Sequence, residues 1–294
     1  MICDSIFRGC GTALVTPFAD GRVDYDAYAA LVRRQVDAGI NFLVALGSTA
    51  ETPCLDDDEK RRLLAATRKA APATPVMVGV GTNSLMHTTR NMDMLSDADA
   101  YLVVVPYYNR PTQQGLVEYF KAVAAHTDKP VVLYNVPSRT GTNMDAATTL
   151  RLAEIPNIIG IKEASGDLRQ IRSVIDGAPS GFSVLSGTDE LTVDIMLSGG
   201  DGVISVASNI VPQAMTRMVM SALESDFAAA SAINRLLLPL FNACVAESNP
   251  IPVKAALAAL GLIRNELRLP LVPAQPATYA LMAQLIDKFS KEYA

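Results

Sequence analysis

The chain has 294 residues, half of them hydrophobic and 19% charged, with a formal net charge of −5. So large an apolar fraction can bury a sizeable core, and without a basic stripe or arginine-lysine cluster nucleic acid is not an expected partner. The longest solid apolar runs, such as Tyr101-Leu-Val-Val-Val-Pro106, are strand-sized and too short for a bilayer span, and Met1–Gly9 lacks the basic-then-apolar pattern of a secretory signal, so the expected location is the cytoplasm.

In chain order, the first strand-length apolar run is Gly11–Thr16. Asp24 then caps a helix with Tyr28, Leu31, Val32 and Val36 on one face, and Gly39 ends it. Asn41–Leu46 is the second strand. After it, Asp56-Asp-Asp-Glu-Lys-Arg-Arg62 places acids in a first helical turn and bases behind them, as the helix dipole favours. This charge run reads as a solvated helix start. Pro75–Val80 and Ala100–Val105 follow as strands, then a helical stripe of Leu116, Phe120 and Val123. Val131–Tyr134, Ile158–Lys162, Phe182–Leu185 and Gly202–Val206 complete eight strands.

Such solidly apolar strands, without in-out alternation, suit a parallel sheet covered on both faces. Eight strand–helix alternations predict a (β/α)8 TIM barrel over residues 1–223, with a doubly wound sheet as the runner-up. Gly79-Val-Gly-Thr-Asn-Ser84 follows a strand but lacks the third glycine of a dinucleotide fingerprint, and no acidic residue ends the next strand to hold a ribose. Beyond residue 223 the strands stop. Helices over 225–247, 252–262 and 276–292 form a C-terminal helical extension, 224–294, too short and too dependent on its neighbours to stand as an independent domain.

The four cysteines, Cys3, Cys10, Cys54 and Cys244, have no metal-site spacing and read as buried thiols. The two histidines, His87 and His126, lie on separate segments, so no metal site is expected.

In a barrel of this kind, side chains at the C-terminal ends of the strands build the active site. Those ends carry Ser48 and Thr49, Tyr107 and Tyr108, Tyr134 with Arg139, Lys162, and the run Ser186-Gly187-Thr188-Asp189. Lys162 ends an apolar strand. An amine carried into such a setting loses hydration, which favours its neutral, nucleophilic form and makes a Schiff base with a carbonyl substrate feasible. Taken singly, each residue has a bland explanation. Lys162 snorkels to the rim or pairs with Glu163, the hydroxyls satisfy loop backbone, the tyrosines fill the rim, and Arg139 meets a surface acid. Jointly they supply an amine, hydroxyls to relay protons, and donors for a keto acid's carboxylate.

Tyr107-Tyr-Asn-Arg-Pro111, Tyr134-Asn-Val-Pro-Ser-Arg-Thr-Gly141, Ile159-Gly-Ile-Lys-Glu-Ala164 and Asn249-Pro-Ile-Pro-Val-Lys254 resemble the corresponding segments of the dihydrodipicolinate synthase family, which belongs to the class I pyruvate-dependent aldolases and lyases. The likeness runs from Gly11 to Pro270. It implies that Lys162 forms the Schiff base with pyruvate, with no metal or nucleotide. It implies a hydroxyl relay of Tyr134, Ser48 and Tyr108, with Tyr108 reaching across a subunit interface beside Tyr107. Ser48 and Thr49 would hold the pyruvate carboxylate, and Arg139 would receive that of aspartate semialdehyde. Gly187 and Ile204 would shape the pocket through their backbone. The implied reaction condenses pyruvate with aspartate 4-semialdehyde on the route to diaminopimelate and lysine. The implied assembly is a homotetramer, a dimer of dimers.

Two positions depart from the family's usual Gly-Thr-Thr-Gly-Glu, here Gly47-Ser-Thr-Ala-Glu51. Ser48 is also usual in sialic acid lyases, so a sugar-acid aldolase is one alternative; Arg139 suits a second small carboxylate better than a polyol. A non-catalytic barrel is the other. Ala50 tolerates positive φ poorly, so the loop must be right-handed or extended there. The family's lysine-feedback site corresponds to Asp57, Lys60, Asn83, His87 and Tyr107. A lysine and a histidine there predict weak or absent feedback.

Overall fold

The computed structural model describes residues 6–293. Eight parallel strands close a barrel: β1 Gly9–Ala13, β2 Phe42–Ala45, β3 Val76–Gly79, β4 Ala100–Val104, β5 Val131–Asn135, β6 Ile158–Glu163, β7 Ser183–Ser186 and β8 Gly202–Ser205. Each is followed by a helix: α1 Tyr25–Asp37, α2 Asp57–Ala70, α3 Leu85–Met94, α4 Gln113–Ala125, α5 Ala146–Ala153, α6 Leu168–Gly177, α7 Thr192–Leu197 and α8 Pro212–Leu223. Then come α9 Phe227–Cys244, α10 Ile251–Ala259 and α11 Pro276–Tyr293. The fold is the (β/α)8 barrel with a C-terminal helical region.

The strands are solidly apolar because each is covered twice. Alternate side chains, among them Phe42, Met77, Leu102, Val132 and Leu185, fill the barrel interior. The residues between them form a larger cluster against the helices. Phe7 closes the interior with an edge-on contact to Phe42 at 5.4 Å. The ladder closes where β1 meets β8, Gly9 opposite Gly202. A Cβ on Gly202 would stand 1.9 Å from the Gly9 carbonyl oxygen, and its φ is +146°, so only glycine fits there.

Several expectations shift. β1 starts and stops earlier than Gly11–Thr16: Leu14 N–H still donates to the Val44 carbonyl, but Val15 N–H turns to Asn209 Oδ1, and both residues are buried. Asp24 caps α1 as expected, accepting from Ala27 N–H, but the buried face is Tyr28, Leu31, Val32 and Gln35. Val36 is exposed, and Gln35 takes the inward position because its Oε1 accepts from Thr12 Oγ1 at 2.8 Å. Cys10 and Cys244 are buried, Cys54 is only half-buried, and Cys3 lies outside the described residues. Among the described residues one helix, α9, does reach the length and mean hydropathy (1.3) of a bilayer span. It is alanine- and leucine-rich because it lays Leu237, Leu240 and Phe241 on the barrel.

Asp56 and Glu59 form a capping box at the start of α2, so the acidic run is a helix start. Glu59 does a second job. Arg268 grips it with two hydrogen bonds, 2.6 and 2.7 Å, and also donates to the carbonyls of Cys54 and Gly21. The loop after α10 is thereby clamped to the barrel. The hydrogen bonds from Arg268 hold the Glu59 carboxyl below its usual range, against the opposing effect of burial. A depressed folded-state value means that the contribution is full above the ordinary carboxylate pKa and lost as pH falls through the depressed one. Glu59→Gln is therefore expected to lower stability near pH 7 by about 1.5–3 kcal/mol. The deficit against wild type should shrink below about pH 4, in the range of an ordinary glutamate. Thermal unfolding across pH checks this; a deficit independent of pH would refute the assignment.

Candidate active site

A cavity of about 230 Å³ opens at the C-terminal ends of the strands. Lys162, the penultimate residue of β6, stands in its wall and is only 6% exposed. Strand alternation separates it from Glu163. Glu163 turns outward and accepts from Asn135 Nδ2, Ser165 N–H and Gln170 Nε2. The alternative in which Lys162 pairs with Glu163 is thus excluded. No hydrogen bond or ion pair engages Lys162 Nζ among the described residues; its neighbour is the ring of Tyr134, 4.4 Å from Nζ to the centroid. The two residues are opposite one another in the β5–β6 ladder, which fixes that contact. Gly187 keeps the amine's surroundings open, since a Cβ there would meet Lys162 Cε at 3.1 Å and the Ala164 Cβ at 2.7 Å.

The loop after β2 supplies Ser48 and Thr49, both in the cavity wall. Ala50 closes a 3-10 turn, Ser48–Ala50, so its conformation is right-handed as expected. The left-handed residue is Glu51, φ +54°. Its carboxylate explains how a glutamate holds that conformation. Oε1 meets Lys254 Nζ at 2.6 Å with both side chains fully buried, and Oε2 accepts from Arg268 N–H. Lys254 also donates to the Thr16 carbonyl and lies over the Phe18 ring, so this second buried lysine is fully engaged. Burial pushes its ammonium pKa down and Glu51 opposes that.

Arg139 projects from a single helical turn, Pro137–Thr140, closed by Gly141 at φ +69°. It is exposed at the cavity mouth, and no carboxylate pairs with it among the described residues. Its Nη2 donates to the Asn249 carbonyl at 3.3 Å. A guanidinium without a protein counter-charge beside a cavity is a receptor for an anion.

The expected residues do not all converge. Ile204 is buried in the barrel interior with Tyr134 but is not in the cavity wall. Tyr107 is partly exposed in the wall of a second, adjoining cavity of about 460 Å³, which also contains Ser48, Lys60 and Tyr134. Tyr108 is 87% exposed at φ +69°, away from both cavities. Ser48, Tyr134 and Tyr108 are not joined by hydrogen bonds within one chain.

Two groups that the sequence reading named only within longer runs, without a role, also stand in the wall. Asp189 stands in the wall, its Oδ2 accepting from the N–H groups of Val206 and Ala207 while Oδ1 is buried without a partner. Burial pushes its carboxyl pKa up, and hydrogen bonds and the charge of Lys162 oppose this. A charged residue three places after a strand end was the available signal. Asn249 also lines the cavity and donates from Nδ2 to Thr49 Oγ1 at 2.9 Å. Phe241 and Cys244 of α9 complete the wall beside it.

This arrangement suits carbonyl chemistry at a lysine amine, flanked by a phenol, hydroxyls and an anion receptor. The family model described as the dihydrodipicolinate synthetase family matches residues 6–288. The chain belongs to this family. The 4-hydroxy-tetrahydrodipicolinate synthase of Koribacter versatilis is 47% identical over 283 residues, 95% of this chain and 94% of that protein. The crystal structure of dihydrodipicolinate synthase from Thermotoga maritima superimposes with a TM-score of 0.96 at 42% identity, covering 97% of this chain and 99% of that one. A structure described as a monomeric dihydrodipicolinate synthase variant gives 0.95 at 42%, with 97% of both chains covered. The enzyme from Cyanidioschyzon merolae, solved with lysine bound, gives 0.93 at 35%, covering 97% and 98%. As a member of this family the chain is an enzyme, a lyase. Nothing in these likenesses favours a sugar-acid aldolase or a non-catalytic barrel.

Proposed function

We propose that the enzyme condenses pyruvate with aspartate 4-semialdehyde to give 4-hydroxy-tetrahydrodipicolinate. The observation that carries this is a buried lysine, free of protein partners, over a tyrosine ring and beside an unpaired arginine. Lys162 Nζ adds to the keto carbon of pyruvate, and water leaves to give the iminium. Ser48, Thr49 and neighbouring N–H groups take the carboxylate. Loss of a methyl proton gives the enamine, whose carbon attacks the aldehyde held by Arg139. The amine of the semialdehyde then displaces Lys162 from the iminium carbon and closes the ring. Tyr134, with Ser48, moves the protons. The Schiff base takes the place of a cofactor, and the backbone of Gly187 and Ile204 shapes the pocket. The proposal includes a cytoplasmic location, no membrane or nucleic-acid partner, and a barrel, 1–223, that acts together with its helical extension, 224–294. Borohydride added with pyruvate is expected to fix a reduced pyruvyl adduct on Lys162, located by peptide mass. Lys162→Ala should abolish turnover in folded protein. An adduct on Lys254, or none, would sink the mechanism.

We further propose that Tyr108 acts in a neighbouring subunit of a homo-oligomer, most simply a dimer of dimers, with Tyr107 at the same interface. What supports this is a relay left incomplete within one chain and a large aromatic held outward in a left-handed conformation. Tyr108→Phe and Tyr134→Phe should each lower kcat by roughly a hundredfold, the scale of one general acid–base group. Reassembling mixed subunits should restore part of the activity, since some sites then carry both tyrosines. No recovery, or a fully active monomer in sedimentation, would count against sharing.

Lysine is proposed to inhibit weakly or not at all. Lys60 lines the second cavity, 3.6 Å from Asp57, and Arg90 also bonds Asp57. The Asp57 carboxylate, which a ligand ammonium would need, is therefore already paired with two cations. His87 is exposed and cannot act as a counter-anion. A lost ion pair to the ligand costs roughly 2–5 kcal/mol. Initial rates titrated with L-lysine should stay nearly flat below millimolar concentration; strong partial inhibition there would refute the proposal.

A further inference from the structure

Asn249 belongs to a motif that the reaction so far leaves without a role, yet it touches both carboxylate-holding residues. Its Nδ2 donates to Thr49 Oγ1 at 2.9 Å, and its main-chain carbonyl accepts from Arg139 Nη2 at 3.3 Å. It lines both cavities, at their junction.

The amide orientation follows from what Thr49 must do. If the Thr49 hydroxyl gives its proton to a carboxylate, its oxygen is left to accept, and the partner must be a donor. That places the amide nitrogen of Asn249 toward Thr49. A primary amide is planar, so its oxygen then points away. Asn249 Oδ1 is buried and has no hydrogen-bond partner. A buried acceptor left unmet is costly, and a ligand that brings a donor recovers that cost.

We infer that Asn249 Oδ1 receives the α-ammonium of the second substrate, and so selects an amino-aldehyde over the same aldehyde without the amine. This rests on the proposed condensation. Ionised pyruvate offers no donor. The second substrate carries its ammonium and its carboxylate on the same carbon, so the two must be met by adjacent groups. Arg139 and Asn249 are adjacent. Asp189 Oδ1 is the other unpartnered acceptor in the wall, but its charge acts on Lys162, whereas it is Asn249 that Arg139 touches.

The test compares aspartate 4-semialdehyde with succinate 4-semialdehyde, which lacks only the amine, on pyruvate-loaded enzyme. The first is followed by kcat/KM and the second by its inhibition constant. Any effect of Asn249 acting through Thr49 falls on both ligands and cancels in the ratio. For Asn249→Ala, kcat/KM with aspartate semialdehyde should fall at least about tenfold more than the affinity for succinate semialdehyde, the scale of one hydrogen bond to a charged group. Asn249→Asp retains an acceptor of the same shape and should keep the preference for the amine, which also covers the case in which the alanine variant fails to fold. Equal losses for both ligands in Asn249→Ala, or a preference lost as completely in Asn249→Asp, would overturn the inference. Failure of the wild type to form a pyruvate adduct would instead overturn the condensation itself.

Discussion

Two opposite charges with no exposed surface, Lys254 and Glu51, meet at 2.6 Å between the C-terminal extension and the loop after β2. Neither is tolerable alone, because an unpaired buried charge costs several kcal/mol. The pair therefore works as a registration device more than as a source of stability. It holds Glu51 in a left-handed conformation, which ends the 3-10 turn carrying Ser48 and Thr49. It also anchors the start of α10, and with it Asn249, against Thr49. The cavity wall thus belongs to both halves of the chain. A barrel without its extension would lack Asn249, Phe241 and Cys244 from that wall.

Within the barrel, the pleat divides chemistry from support. On β6, Lys162 faces the cavity and Glu163 faces α6, one residue apart. Burial pushes the Glu163 carboxyl pKa up, and its donors, Ser165 N–H first, pull it back. That network stiffens the strand that carries the amine. Gly187 contributes by having no side chain, and the backbone N–H of Gly187 bonds the Glu163 carbonyl at 2.7 Å, so β7 approaches β6 closely enough to frame Lys162. An amine in such a frame loses little freedom on reaching its substrate.

The strand-four loop has the opposite character. Tyr108 is turned outward at the rim, while its neighbour Tyr107 stands partly exposed in the wall of the second cavity. In the wall of that larger cavity Lys60 is held near Asp57, which Arg90 also bonds. The two cavities are neighbours that share Ser48, Tyr134, Arg139 and Asn249 in their walls.

The sequence by itself determined the eight strands, the Asp24 cap, the acidic start of the second helix, and the lysine at a strand end, because each is set by neighbours within a few residues. Strand runs are apolar on both faces only in a doubly covered sheet, so the barrel was legible too. Its errors have one physical source. Val15 looks like strand but its N–H bonds the distant Asn209, and Val36 looks inward while Gln35, bonded to Thr12, takes that place. α9 is apolar because it lies on the barrel. Asn249 stands 200 residues from Thr49 along the chain and touches it. The free oxygens of Asn249 and Asp189, the removal of Glu163 from Lys162, and the outward turn of Tyr108 depend on which distant groups arrive beside them. Only closure of the barrel under its helical extension decides that, since hydrogen-bond satisfaction is a property of the space around an atom and not of its place in the sequence.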